Sequence, residues 1–462
     1  MTQSILSNSK GSDSNESRCE PTLRAALTQH LSLEKASFHT PGHKGRASLD
    51  IANVFALDLT ELPGLDELAD PDGCLKHLQA QISKTWKCRQ SFLSINGASA
   101  ALTAAVIAVA NKNKRRKFLL PRNAHRSALS ALILAGLEPV WYDSDFDAEW
   151  QTWSKTDPSN FERNLILNKE ALSAALVCTP TYAGFCSDIE VLAATCKAHG
   201  VPLIVDEAHG AHFFEDFGFP TSAIEARAEI VIHSLHKTLG APTQTGVLHL
   251  TEDCLIEAEY FQSALNLLQS SSPSYLLMLG IEAAIQNVKD KVASTLQIAE
   301  RLHKKLRTLP QITLAQNADP LHTLIKVKDM GAKELSSYLI SKGIFPETIL
   351  GSGVLLLLGV GSTENDVEYL YQVLTGIETS KGKSEGSIHV PHAEQLISPR
   401  DAFFAESELI NPVDAIHRIS SEWIAPCPPG YAIIAPGQKL EAEHVNLLGT
   451  RKSVRVVKTA PL

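Results

Sequence analysis

The sequence lacks any long apolar run. Its most apolar stretch, Ala98 to Ala110, is dominated by alanine and too short for the roughly 20 residues of a bilayer span. None of its eight cysteines forms a C-x-x-C pair, and no charged-then-apolar segment opens the chain. Free thiols in a reducing cytoplasm are therefore expected. Positive charge is not in excess: the net charge is −9, which argues against general affinity for nucleic acid. One basic run, Lys112 to Lys117 (KNKRRK), lies between a small-residue helix and the apolar FLLP, and reads as a solvated loop. No internal repeat is present. These absences leave a soluble intracellular globular chain.

At 462 residues the chain exceeds one average domain, and 44% hydrophobic with 20% charged residues is ordinary for a protein with a large core. Residues 1–20, rich in Ser, Asn and Gly, are expected to form a disordered tail. An N-terminal arm over 21–58 holds a short helix (TLRAALTQHL) and then FHTPGHKG, 38–45, where Pro and two glycines enforce a loop. From 59 to 290 short apolar strands alternate with longer helical patterns. The strand candidates are SFLSI (91–95), KFLLP (117–121), EPVWY (138–142), AALVCT (174–179), PLIVD (202–206), EIVIHS (229–234) and GVLHL (246–250). That rhythm predicts an α/β domain built on a doubly wound, mostly parallel sheet with helices on both faces. Such sheets bind ligands beyond the carboxyl ends of their strands. A smaller C-terminal α/β domain is expected over 291–380, a linker over 381–395 and a Pro-rich subdomain over 396–462.

The stretch LIVDEAHGAH, 203–212, admits two chemistries. An apolar strand ending in Asp-Glu-Ala-His resembles the Walker B box of an ATPase, which requires a phosphate-cradling P-loop. The nearest match, GIETSKGKS at 376–384, has five residues between its glycines instead of four and lies in linker-like sequence. A metal site would draw on His209 with His212, His233 with His236, or His39 with His43. None forms H-E-x-x-H, and Pro-Gly between the last two prevents a helical face. No metal is expected.

The second chemistry is that of pyridoxal phosphate, which makes four demands. A lysine must form a Schiff base and be neutral enough to react; Lys237 in HSLHKTLG follows a strand, flanked by Ser234 and His236. A carboxylate must keep the ring nitrogen protonated; Asp206 ends an apolar strand. The phosphate needs backbone N–H groups at a helix start, and SINGASAALTAAVIAV supplies strand, turn and helix with Gly97, Ala98 and Ser99 at the turn. The ring face needs a flat partner, and His125 in PRNAHRS follows a strand end.

Together FHTPGHKG, SINGASAA, PRNAHRSAL, TPTYAGFCSDI, VDEAHGAHF and HSLHKTLGAPTQTGVLH resemble, in order, the prokaryotic ornithine/lysine/arginine decarboxylase family of fold-type I pyridoxal phosphate enzymes. The likeness covers about residues 38–250, with weaker traces in AFFAES and PCPPG. It implies that Lys237 carries the cofactor, Asp206 pairs with the pyridine nitrogen and His125 stacks on the ring. It further implies that Ala208 packs behind the ring, His209 lies near the ring hydroxyl, and Ala98, Ser99, Ser234 and His236 hold the phosphate. The chain departs from the family at Ala124, Arg126 and His233 and in Pro426–Gly430, so substrate choice is less defined than the chemistry. It resembles the short members without a receiver-like domain. The implied reaction is decarboxylation of lysine, ornithine or arginine to an amine of polyamine metabolism, by a cytoplasmic homodimer without nucleic-acid or membrane partners. An aminotransferase, or a catalytically silent cofactor-binding relative, is the alternative. A basic substrate needs an acidic contact for its distal charge; the candidates are Glu347, after GIFP, and Glu61, Asp66 or Glu67 in TELPGLDEL, reaching across a dimer.

Overall fold

The computed structural model describes residues 29–46, 54–377, 391–425, 432–449 and 451–458. The expected N-terminal tail, most of the expected linker and Pro426–Gly430 lie outside them.

The seven strand candidates all belong to one sheet. They are β1 (Gln90–Ser94), β2 (Lys117–Pro121), β3 (Glu138–Tyr142), β4 (Leu172–Cys178), β5 (Leu203–Asp206), β6 (Ile230–Ser234) and β7 (Gly246–Leu250). Their order is β1-β7-β6-β5-β4-β2-β3. The pairs among β2 to β6 are parallel, whereas β7 runs antiparallel to both β1 and β6. Only Leu235 to Thr245 joins β6 to β7. A parallel crossover takes a dozen or more residues, so the chain turns back instead.

Both sheet faces are covered, which explains the near-continuous apolar strands. Leu119, Val177, Leu203, Val205 and Val231 face one core. Their neighbours Phe118, Leu120, Leu176, Ile204 and Ile232 face the other. The two-residue period of a strand divides each segment between the cores. Helix α1 (Cys74–Trp86) precedes β1, and α2 (Gly97–Asn113) follows it. The alanines of α2, Ala101, Ala104, Ala105 and Ala108, are buried in the second core, so this helix rests close to the strands. Helix α3 (Arg126–Ala135) follows β2, α4 (Pro158–Asn168) precedes β4, and α5 (Ile189–Ala198) follows it.

A second, antiparallel sheet contains β8 (Ile312–Leu314), β9 (His322–Val327), β10 (Thr348–Leu350) and β11 (Gly353–Leu357), in the order β8-β9-β11-β10. Near it Ala36–Phe38 pairs in parallel with Ile344–Pro346, which brings FHTPGHKG to the strand end carrying Glu347. Buried Lys44 fixes that loop by donating to the carbonyl of Leu357 at 2.9 Å. Burial brings its amine down to about 7. Near the C-terminus Ser407–Ile410 pairs with Val454–Val457 over a small separate core that includes Ile424, Ile434 and Val456. Among the described residues no helix is long and apolar enough to cross a membrane.

Candidate active site

A cavity of ≈ 460 Å³ opens at the carboxyl ends of the parallel strands. Lys237 lies on its wall, in the single-turn helix α6 (Leu235–Thr238) that follows β6. Asp206, the last residue of the adjacent β5, lines the same cavity. Its Oδ1 accepts the N–H of Ala208 at 3.2 Å. Among the described residues no cation reaches ion-pair distance of Asp206. Burial holds the Lys237 amine below the usual lysine range, with Asp206 and then Glu347 opposing. Burial thereby favours the neutral amine, the form in which a lysine is nucleophilic.

His125 is the N-cap of α3, with Nδ1 accepting the Ser127 N–H at 3.2 Å. The cap fixes the ring beside the cavity, and desolvation there lowers its pKa, which favours the neutral imidazole. On the far side α2 begins at Gly97, whose φ of +75° suits glycine. No side chain caps α2. Its first N–H groups, at Gly97, Ala98 and Ser99, are thus free for an anion at the cavity edge. Gly246 makes this placement possible: a Cβ there would meet the Ala98 nitrogen at 2.6 Å. Ser234 and His236 complete this edge. His236 donates from Nδ1 to the carbonyl of Thr245 at 3.1 Å, which leaves Nε2 as its remaining polar atom.

Every cofactor-contact candidate thus lies around one cavity, Ala208 and His209 included. The acidic candidates separate. Glu347 lines the cavity; its Oε1 accepts from the Tyr182 hydroxyl at 2.6 Å and its Oε2 from the Thr40 N–H at 2.7 Å. Asp66 is buried and accepts backbone N–H groups from Glu67, Asp72, Gly73, Leu75 and Lys76. Its carboxylate anchors the start of α1. Glu61 and Glu67 do not line the cavity of this chain. Sequence reasoning passed over Thr40, Ser127, Cys178 and Gln244, which do. Cys178 reaches the cavity because it pairs in register with Asp206 across β4 and β5, a register that the sequence alone does not give.

The structure also separates the letters of DEAH. Glu207 leaves the cavity and is buried, with Oε2 2.8 Å from His233 Nε2. His209 Nδ1 meets His322 Nε2 at 3.0 Å, and His212 Nε2 meets Asp319 Oδ1 at 3.1 Å. The paired histidines of the sequence are therefore not paired in space. His39 joins His30 and Glu34 instead of His43, and these three ligand-type side chains lie within 4.8 Å of one another.

Residues 21–329 match the family described as Orn/Lys/Arg decarboxylase, major domain. The chain belongs to the Orn/Lys/Arg decarboxylase family. It is 29% identical over 464 residues to a protein named arginine decarboxylase from Bacillus subtilis, covering 94% of each chain. It is 31% identical over 468 residues to the uncharacterized protein YaaO of the same organism, again covering 94% of each. The solved constitutive lysine decarboxylase of Escherichia coli shares the fold, with a TM-score of 0.75 at 18% identity, covering 94% of this chain and 81% of that one. This family member is an amino-acid decarboxylase of the fold-type I class, and pyridoxal phosphate is its cofactor. The cavity fits that group. It offers an uncapped helix start brought close by a glycine, a strand-end carboxylate without a cation, and a lysine held below its usual range.

Proposed function

We propose that the protein decarboxylates a basic amino acid, with arginine the first substrate to test, in the cytoplasm and as a homodimer supplying amines to polyamine metabolism. The observation that carries this reading is Glu347 in one cavity with Lys237 and Asp206. A buried distal cation is costly unless an acidic group meets it. Each oxygen of Glu347 already accepts one hydrogen bond, from Tyr182 or from Thr40. A carboxylate has about four acceptor sites, so both oxygens remain open to a bidentate guanidinium. Full-length likeness to a protein named arginine decarboxylase supports the same choice.

Bound pyridoxal phosphate supplies an electron sink for the pair released as the Cα–carboxylate bond breaks. The protein's part is positioning and charge. Lys237 would hold the cofactor, through an amine that burial keeps below the usual lysine range. Asp206 holds a proton on the ring nitrogen. The neutral His125 ring offers a flat face, and the α2 start with Ser234 and His236 grips the phosphate. Exposed Val54, Phe55, Leu57, Leu59, Leu62 and Leu65 form an apolar stretch suited to a second copy of the chain.

Carboxyl-labelled arginine, lysine, ornithine and leucine given to purified protein test the reading. Labelled CO₂ from a basic substrate, with an increased KM in Glu347→Gln, is expected. A keto acid without CO₂, or leucine turned over as well as the basic substrates, overturns it.

A further inference from the structure

Behind the cavity wall four side chains form a continuous buried row of polar contacts. His209 Nδ1 lies 3.0 Å from His322 Nε2. His322 Nδ1 lies 2.7 Å from Asp319 Oδ2, at ion-pair distance but bent away from hydrogen-bond alignment. Asp319 Oδ1 lies 3.1 Å from His212 Nε2, and His212 Nδ1 lies 3.2 Å from the hydroxyl of Thr238, the residue after Lys237. His212, Asp319 and His322 have no exposed surface, and His209 is 6% exposed. At the cavity end His209 Nε2 is buried without a hydrogen-bond partner.

His322 is held in this position by its surroundings. Asn317 donates to the carbonyls of His322 and Ala183. A Cβ at Gly184 would come within 2.5 Å of the His322 Cβ, so the TYAGF loop closes over the ring only with glycine there.

Proton positions along the chain follow from donor and acceptor rules. An ionised Asp319 only accepts, so His322 Nδ1 carries a proton. His322 Nε2 and His209 Nδ1 then share a second one. With that proton on His209, Nε2 shows the cavity a lone pair. With it on His322, the imidazolium stands against Asp319 and His209 is free to hold a proton on Nε2.

We propose that His322, backed by Asp319, is a positioning residue that lets His209 take one proton from the bound amino acid while remaining neutral. The inference rests on the decarboxylase reading above. An α-amino group arrives as an ammonium ion and must be neutral to act as a nucleophile. One N–H bond of that ammonium breaks as His209 Nε2–H forms, and His209 Nδ1–H breaks as His322 Nε2–H forms. The positive charge passes from the substrate nitrogen to His322, and the product amine takes the proton back. His209 is a poor site for that charge: burial lowers its pKa well below the usual range, with Lys237, His322, His236 and His125 adding to the effect. On the buried side Asp319 is, among the described residues, the anion at ion-pair distance from His322, with His212, His303 and Cys186 around it.

Nitrogen NMR of the full-length protein with ¹⁵N-labelled histidine tests the chain apart from turnover. On acidification the imidazolium signal is expected at His322 while His209 changes from its Nδ1–H to its Nε2–H form. An imidazolium at His209, or no response from either ring, overturns the proposal. In kinetics, Asp319→Asn removes the charge that favours the protonated relay. The acid limb of kcat/KM should move to lower pH and the plateau fall about 100-fold, with cofactor absorbance retained; His322→Gln should lose the limb. An unmoved limb in both variants overturns it as well. A wild-type protein that releases no CO₂ from any basic amino acid defeats the functional reading, while the NMR titration still decides the relay.

Discussion

Two buried histidine chains leave neighbouring residues at the end of β5 and go to different places. The first starts at Glu207 and crosses the sheet through His233 on β6 and His249 on β7 to Ser91 on β1, with steps of 2.8, 3.1 and 2.9 Å. The other Glu207 oxygen accepts the Ala223 N–H at 2.8 Å, and the Trp86 ring lies beside both histidines. Each link is satisfied. The second starts at His209 and ends on an unpartnered nitrogen at the cavity. Burial and histidine content are therefore poor guides to function. A chain that closes on itself braces strands, and one with an open end at a cavity can exchange a proton.

The largest expected effect is at the cavity. Lys237→Ala should lower turnover by about 10⁵-fold or more and abolish the visible absorbance of the cofactor linkage, with the circular dichroism of the folded protein unchanged. Asp206→Asn should still bind cofactor, measured by absorbance, yet lose about 10³-fold in kcat. The closed chain should behave in the opposite way. His233→Ala leaves the Glu207 carboxylate buried without its partner and should cost about 3 kcal/mol in urea unfolding. The rate per cofactor-loaded molecule should hold within about twofold, and a large rate loss would erase the contrast between the two chains.

Glu229 sharpens the comparison, because it has no histidine. Burial pushes its pKa up to about 7, opposed by the backbone N–H groups of Leu203 and of Glu229 itself. Asp319 is pushed up by burial too, but His212 and His322 outweigh this and hold it well below the usual range. With its folded pKa raised, Glu229 costs stability above that value and the cost fades as pH falls toward the unfolded pKa. Glu229→Gln should gain about 1 kcal/mol in unfolding at pH 8, after allowance for partial exposure, and nothing near pH 4. An equal gain at both pH values would mean that charge is not the cause.

The sheet strands and the residues that meet at the cavity were legible because each of these residues follows a strand end in a short local pattern. Lys237, Asp206, His125 and the Gly97 turn needed no knowledge of distant contacts. The antiparallel direction of β7 was readable too, from the shortness of Leu235–Thr245. Other features were not local. Asp319 and His322 sit in ADPLHTL, which carries no periodic signal, and their meaning comes from His209 over a hundred residues earlier. Glu347 and Asp66 look alike as lone carboxylates near turns. Only packing distinguishes the one at the cavity from the one that collects backbone N–H groups at the start of α1.

Gly246 and Glu347 imply an order of events on the ribosome. Everything proposed to grip the cofactor, from the α2 turn to the strand that Gly246 opens, leaves the exit tunnel before Glu347 is translated. The proposed selectivity device is the later arrival, and it depends on Thr40, which lies 307 residues earlier in the chain. A nascent chain therefore acquires its means of chemistry first and its means of discrimination last.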